Sequence, residues 1–211
     1  MDFQLNQEQR AFADSVRRFA RAELAADALK RAHSPAFPWD VAAKLSEMGL
    51  LGITIREEDG GIGGTLMDAV IAIQELALVC PKSADVVQAG NFGPIRTFAE
   101  YASPEQKERW LGDLLGGRKL LALGMSEPDA GSAVTDLKTS GREDGDHYVI
   151  NGSKVFSTHS PEATLFLIYV RFGPGVGGIG SVLIERGTPG FTVGQPSAFM
   201  SGEEWCQLYF E

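Results

Sequence analysis

Between Leu121 and Thr158 the chain sets Met125-Ser126-Glu127-Pro128 and then Gly131-Ser132 ahead of a returning Phe156-Ser157-Thr158. A strand that ends in a serine and is turned by a proline leaves hydroxyls and backbone N–H groups at a sheet edge. Such an edge can hold a phosphate or a flat heteroaromatic ring with little positive charge. The returning segment adds a ring to stack and a hydroxyl to donate; Phe156 and Thr158, two positions apart on an expected strand, project to the same face. The chemistry suited to this set is the holding of a flavin or a nucleotide. Glu127, inside the turn, reads as a structural acid that is solvated or caps a backbone N–H.

The elements that must position these residues change character along the chain. Asn6 with Gln9 caps a first helix carrying Phe12, Val16, Phe19 and Ala20 on one face, and the proline-containing stretch His33 to Pro38 ends it. A shorter helix from about Asp40 to Met48 stops at Gly49, followed by the extended apolar run Leu50 to Ile55 and the loop Gly60-Gly61-Ile62-Gly63-Gly64. Thr65 with Asp68 opens a third helix, apolar on most sides and so expected at the centre of a bundle. A fourth helical pattern, Ser83 to Tyr101, carries the break Gln88 to Gly93, and Ser103-Pro104-Glu105-Gln106 caps a fifth that ends near Leu115.

Beyond Gly117 the period becomes alternating. Strands are expected at Leu120–Met125, Thr135–Gly141, His147–Ile150, Ser153–Thr158, Thr164–Arg171, Ser181–Glu185 and Cys206–Phe210, with two-residue hairpin turns at Asp144-Gly145 and Asn151-Gly152. The fold class is therefore α+β: an all-helical domain over residues 1–117 and an antiparallel, barrel-like β domain over 118–211. Because the last strand stops at Glu211 without a turn or cap, the sequence is expected to be the front part of a longer chain.

Composition narrows the function. A net charge of -9 argues against a chain that neutralises a nucleic-acid backbone, and no apolar run is long enough to span a bilayer. A soluble intracellular protein is expected, cytoplasmic or in another soluble compartment, with Cys80 and Cys206 as buried thiols. His33, His147 and His159 show no ligand spacing, so no metal site is expected. The glycine-rich stretch Gly173 to Gly180 precedes a strand and is expected to be a mobile hairpin connection, and Glu203-Glu204 a pair of solvated loop acids.

Four blocks in order carry a resemblance to a known family: Leu5-Asn6-Gln7-Glu8-Gln9-Arg10, Glu57 to Gly64, Met125 to Ser132, and Asp146 to Lys154. In these the chain resembles the amino-terminal and middle domains of acyl-CoA dehydrogenases, which place a double bond between the α and β carbons of an acyl thioester. The resemblance implies FAD as cofactor, with Met125 and Ser126 at the pyrimidine edge of the flavin, Ser132 at the pyrophosphate, Phe156 against the ring face and the Thr158 hydroxyl at N5. It places the helix carrying Gln88, Asn91 and Phe92 along the acyl chain, while tight packing at glycine is the other reading of that break.

The resemblance further implies an acyl-CoA substrate, an electron-transfer flavoprotein as acceptor and a homo-oligomer, in the family usually a tetramer. The proton-abstracting carboxylate comes in this family from a carboxy-terminal helical domain. No residue of the present chain matches it, so residues 1–211 alone are expected to be inactive. Two departures stand out. Ala133 takes a place usually held by Asp, and Thr158-His159-Ser160 puts an imidazole near the flavin edge, either tuning the ring or facing solvent from a loop. A non-catalytic acyl-CoA-binding partner subunit, or an oxygen-using oxidase or monooxygenase of the same superfamily, are the alternatives.

Overall fold

The computed structural model describes residues 4–211, so the opening Met1-Asp2-Phe3 lies outside the described residues. The chain divides into two units, Met1–Arg118 and Lys119–Glu211. No described helix is long and apolar enough to cross a membrane.

The first unit is helical: α1 (Gln7–Phe19), α2 (Ala28–Ala32), α3 (Trp39–Glu47), α4 (Leu66–Ala77), α5 (Pro81–Ala89), α6 (Pro94–Tyr101) and α7 (Pro104–Leu115). The start signals act as expected. Asn6, Thr65 and Ser103 each accept from the backbone N–H three residues on, and Gln9, Asp68 and Gln106 reach back to the cap N–H. Each such cap contributes about 1 kcal/mol. α1 and α4 are tied by Arg17, whose Nε and Nη2 donate to the two Glu75 carboxylate oxygens at 2.7 and 2.8 Å.

Several expectations for this unit need correction. The first helix does not run unbroken to His33: α1 ends at Phe19 and, after a wider turn over Ala20–Leu24, a break separates it from α2. The single helix over Ser83–Tyr101 is two, because Pro94 starts a new helix after Gly93 at φ 65. The Leu50–Ile55 run is a series of turns rather than an extended segment. α4 buries Ala69, Ile71, Ala72 and Leu76 but leaves Leu66, Met67 and Val70 about half exposed, so it is not enclosed on all sides.

The second unit is one curled sheet of β1 (Leu121–Gly124), β2 (Ser140–Asp144), β3 (His147–Thr158), β4 (Leu165–Arg171), β5 (Ile179–Glu185), β6 (Phe191–Val193), β7 (Ser197–Ala198) and β8 (Glu204–Phe210). The α+β class holds, but the sheet is mixed rather than antiparallel. β4 runs parallel to β1 along Leu165–Ile168 and touches β2 in parallel at Arg171, while β2·β3, β4·β5 and β3·β8 are antiparallel. The long connection from β1 through β2 and β3 brings β4 back in the same direction, which a two-residue hairpin cannot do. The core is β4, buried on both faces from Leu165 to Ile168 and at Val170, with Ala122, Leu137, Cys206, Leu208 and Phe210.

Asp144-Gly145 turns β2 into β3, but Asn151-Gly152 is not a turn: β3 runs unbroken from His147 to Thr158. At Gly152, with φ 143, β3 leaves β2 and begins to pair with β8. A Cβ there would sit 2.6 Å from Thr139 Oγ1, so only glycine lets the strand change partner at this point. The expected strand Thr135–Gly141 begins later, at Ser140, after a helical turn at Val134–Asp136. β6 and β7 were not foreseen.

Candidate functional site

The end of β1 is fastened to β3 across an irregularity. Between Lys154 and Ser157, β3 advances three residues while β8 advances two, which is a β-bulge. The bulge frees the Val155 N–H, which donates to Ser126 O at 2.8 Å. On either side of it, Ser157 Oγ donates to Leu123 O at 2.8 Å and Lys154 Nζ donates to Met125 O at 3.2 Å. Met125-Ser126 is thereby held against the segment that carries Phe156.

Within the bulge Phe156 takes φ 57, a left-handed conformation that a bulky L residue rarely adopts. The strain is of order 1–2 kcal/mol. What it gains is direction: Ser157 is fully buried, while Phe156 turns outward and stays 57% exposed. Thr158, beyond Ser157, points outward with it, opposite Trp205 of β8. His159 also has positive φ, 59, with its N–H donating to Glu204 O at 3.0 Å. These are the described non-glycine residues with positive φ, and they fall within four positions of each other.

Under this surface lies a buried ion pair. Lys154 Nζ donates to Glu127 Oε1 at 2.8 Å, and the carboxylate also accepts from the backbone N–H groups of Lys138 (2.6 Å) and Thr139 (2.8 Å). Lys154 is fully buried and Glu127 nearly so. Burial works against the charged carboxylate, but Lys154 and the Thr139 and Lys138 donors outweigh it and hold the Glu127 carboxyl down to about 2. Burial likewise pulls the Lys154 ammonium below the usual lysine value against the raising influence of Glu127. Glu127 is thus the structural acid expected. It folds the turn Glu127–Ala130, closed by N–H···O bonds of 2.9 and 3.1 Å between those two residues, onto the start of the Lys138-Thr139 segment.

Ser132 follows that turn in an exposed bend, and a Cβ on the neighbouring Gly131 would meet nothing within 4 Å. Ser126 is thus joined through its carbonyl to Val155, the neighbour of Phe156, and Thr158 follows on the same strand, whereas Ser132 is connected to them only through the turn. Sequence reasoning missed Trp205, whose ring centroid lies 4.7 Å from that of Phe156. The alternating period of β8 was the available signal, since it places Trp205 on the face opposite to Cys206. The acids before it act through their backbones: Glu203 O accepts from Phe199 N–H and Glu204 O from His159 N–H.

In the helical unit, Gln88, Asn91 and Phe92 do not behave alike. Gln88 is exposed and Phe92 half-buried, but Asn91 is fully buried and its amide is spent on the backbone. Nδ2 donates to Leu50 O and Val87 O at 2.8 Å each, and Oδ1 accepts from Thr54 N–H at 3.1 Å. The substrate-lining role read for Asn91 is corrected accordingly: an amide with these bonds and no exposure fastens the 50–54 turns to the break after α5. Gly90 beside it is a packing glycine, since a Cβ would stand 2.9 Å from Leu51 Cδ2.

Comparison with known proteins supplies the wider frame. Residues 6–118 match the family description "Acyl-CoA dehydrogenase, N-terminal domain" and residues 122–211 "Acyl-CoA dehydrogenase, middle domain". The chain is 35% identical over 197 residues to the short-chain specific acyl-CoA dehydrogenase of Clostridium acetobutylicum, covering 92% of this chain and 52% of that protein. It is 36% identical to the acryloyl-CoA reductase (NADH) of Anaerotignum propionicum, covering all of this chain and 55% of the relative. Among solved structures, the FAD complex of PigA superposes with a TM-score of 0.91 at 28% identity, over all of this chain and 57% of that one. The chain thus spans about half the length of the relatives it matches. With both of its units matched in order and nearly end to end, the chain belongs to the acyl-CoA dehydrogenase family.

Proposed function

We propose that these residues form the helical and sheet portions of an FAD-dependent enzyme that oxidises the α,β bond of an acyl-CoA thioester and passes the electrons to an electron-transfer flavoprotein. The observation that carries this reading is Phe156: a ring turned outward by a strained backbone, beside Ser126 and sharing a face with Thr158. Strain of that kind persists where the surrounding structure over-determines it and a side chain is needed in one direction. FAD, when bound, supplies the two-electron acceptor.

The residues present fit that group. Phe156 offers a ring face for a planar system, the Thr158 hydroxyl donates on the same side, and Met125-Ser126 lie at the edge where β1 ends. Ser132, exposed after its turn beside an open Gly131, suits a phosphate oxygen. The division of labour in this chain is to bind and orient. Gln88 and Phe92 remain the candidates for contact with the acyl chain, and the proton-abstracting carboxylate is assigned to no residue here, so residues 1–211 by themselves are proposed to be inactive. A homo-oligomer accompanies this reading.

The test is an absorbance spectrum of the full-length protein, recorded anaerobically before and after a panel of acyl-CoA esters is added. Bleaching of the flavin band by one ester is expected, and Thr158→Ala should slow it by up to about tenfold, the worth of one hydrogen bond. A purified full-length protein that takes up no flavin on reconstitution would overturn the reading.

A further inference from the structure

The Phe156 ring does not stand alone on its sheet face. Its centroid is 4.7 Å from that of Trp205 at an interplanar angle of 54°, and Trp205 lies 6.0 Å from Phe199 at 33°. Trp205 occupies the middle of this row. On one side it is the register partner of Thr158 on β3, and on the other of Ser197 on β7. After β7 the chain makes a tight turn, with Phe199 N–H donating to Glu203 O at 2.9 Å and Gly202 N–H to Phe199 O at 3.0 Å, and this carries Phe199 back toward the indole.

The row lies outside the core. Cys206 and Leu208 are buried, whereas Trp205 is half-buried, Phe199 36% exposed and Phe156 57% exposed. An exposed phenylalanine in a left-handed conformation has little to fix its ring plane except a neighbour. Trp205 is that neighbour, with its ring centroid within the separation at which aromatic pairs attract. The sheet does not need this contact to bury its apolar face.

We propose that Trp205 is a positioning residue: by packing against the side of Phe156, buttressed in turn by Phe199, it fixes the plane that Phe156 presents and so sets the affinity for the flavin. This rests on the flavin site proposed above. Trp205 takes no part in bond making; it acts through Phe156.

The experiment is FAD binding to the full-length apoprotein, followed by flavin fluorescence and by circular dichroism in the visible flavin bands. Trp205→Leu, which keeps bulk but removes the aromatic contact, should raise Kd by about tenfold and alter the visible dichroism, the scale of one lost aromatic pair. Trp205→Phe should stay within about threefold of the parent. Equal losses in both variants, or none in the leucine variant, overturn the proposal. Phe156→Ala separates the two levels. If it weakens FAD binding while Trp205→Leu does not, only the positioning role fails; if it changes nothing, the flavin site itself is misplaced and the proposal falls with it. Should the leucine variant fail to fold, Phe199→Ala at the exposed end of the row is expected to raise Kd about threefold, and no change there overturns the proposal.

Discussion

In the helical unit the buried carboxylate of Glu75 meets Arg17 through a bidentate pair, and the guanidinium remains 39% exposed; in the sheet unit the buried Glu127 meets Lys154, which is wholly enclosed. The first pair keeps one ion in water and spans two helices. The second takes both ions out of water and repays the desolvation only through added bonds: two backbone N–H groups on Glu127 and the Met125 carbonyl on Lys154. Backbone strain is divided in the same way. Among the described residues, the helical unit confines positive φ to glycines such as Gly52 and Gly60, whereas the sheet unit imposes it on Phe156 and His159. The sheet unit concentrates its backbone strain and its fully buried ion pair around Met125 to His159, where the Phe156 side chain points outward.

The largest expected effect tests that contrast directly. Lys154→Met leaves Glu127 buried without its counter-ion and should cost about 3–5 kcal/mol by denaturant unfolding. The double variant Glu127→Gln with Lys154→Met should recover most of this, because the uncompensated charge is gone. Arg17→Met, whose guanidinium is part-exposed, should cost clearly less than Lys154→Met. Equal losses for the two single variants would break the comparison.

Acid sharpens it. The Glu127 carboxyl titrates near 4.5 when unfolded and is held at about 2 in the fold. The unfolded state therefore binds the proton first as pH falls. The stabilisation is complete above about pH 5, is lost through the window from 4.5 toward 2, and amounts to about 3 kcal/mol. Unfolding measured at pH 5, 4, 3 and 2 should show this slope in the parent and a shallower one in Glu127→Gln.

How much of this was legible in the sequence follows from which signals are local. Capping boxes announced α1, α4 and α7 at Asn6, Thr65 and Ser103 because a cap is satisfied within four residues. Asp144-Gly145 announced its hairpin for the same reason. Asn151-Gly152 misled because the same dipeptide also serves where a strand changes partner, and what decides between the two is Thr139, twelve or more residues away. The parallel pairing of β1 with β4 is equally non-local. At the site, Ser126, Phe156 and Thr158 were readable as types in order. The bulge that turns Phe156 outward, the Lys154–Glu127 pair beneath it and the Trp205 contact arise only when β1, β3 and β8 meet. Asn91 was misread for a related reason: a polar residue at a helix break looks like a ligand contact until the carbonyls of Leu50 and Val87 are seen to occupy its amide.

The smallest expected change in stability carries the sharpest information about the strained surface. Phe156→Gly removes a left-handed conformation that costs a phenylalanine of order 1–2 kcal/mol, and it also removes the contact with Trp205, of about 1 kcal/mol. The two nearly cancel, so the unfolding free energy of the apoprotein should move by no more than about 1 kcal/mol. Binding should not be spared, because the ring that the strain holds outward is the one proposed to face the flavin: FAD affinity should fall by at least about tenfold. A glycine variant that loses several kcal/mol of stability would mean that Phe156 belongs to the architecture, and the contrast between a relaxed unit and a strained one would then have lost its functional meaning.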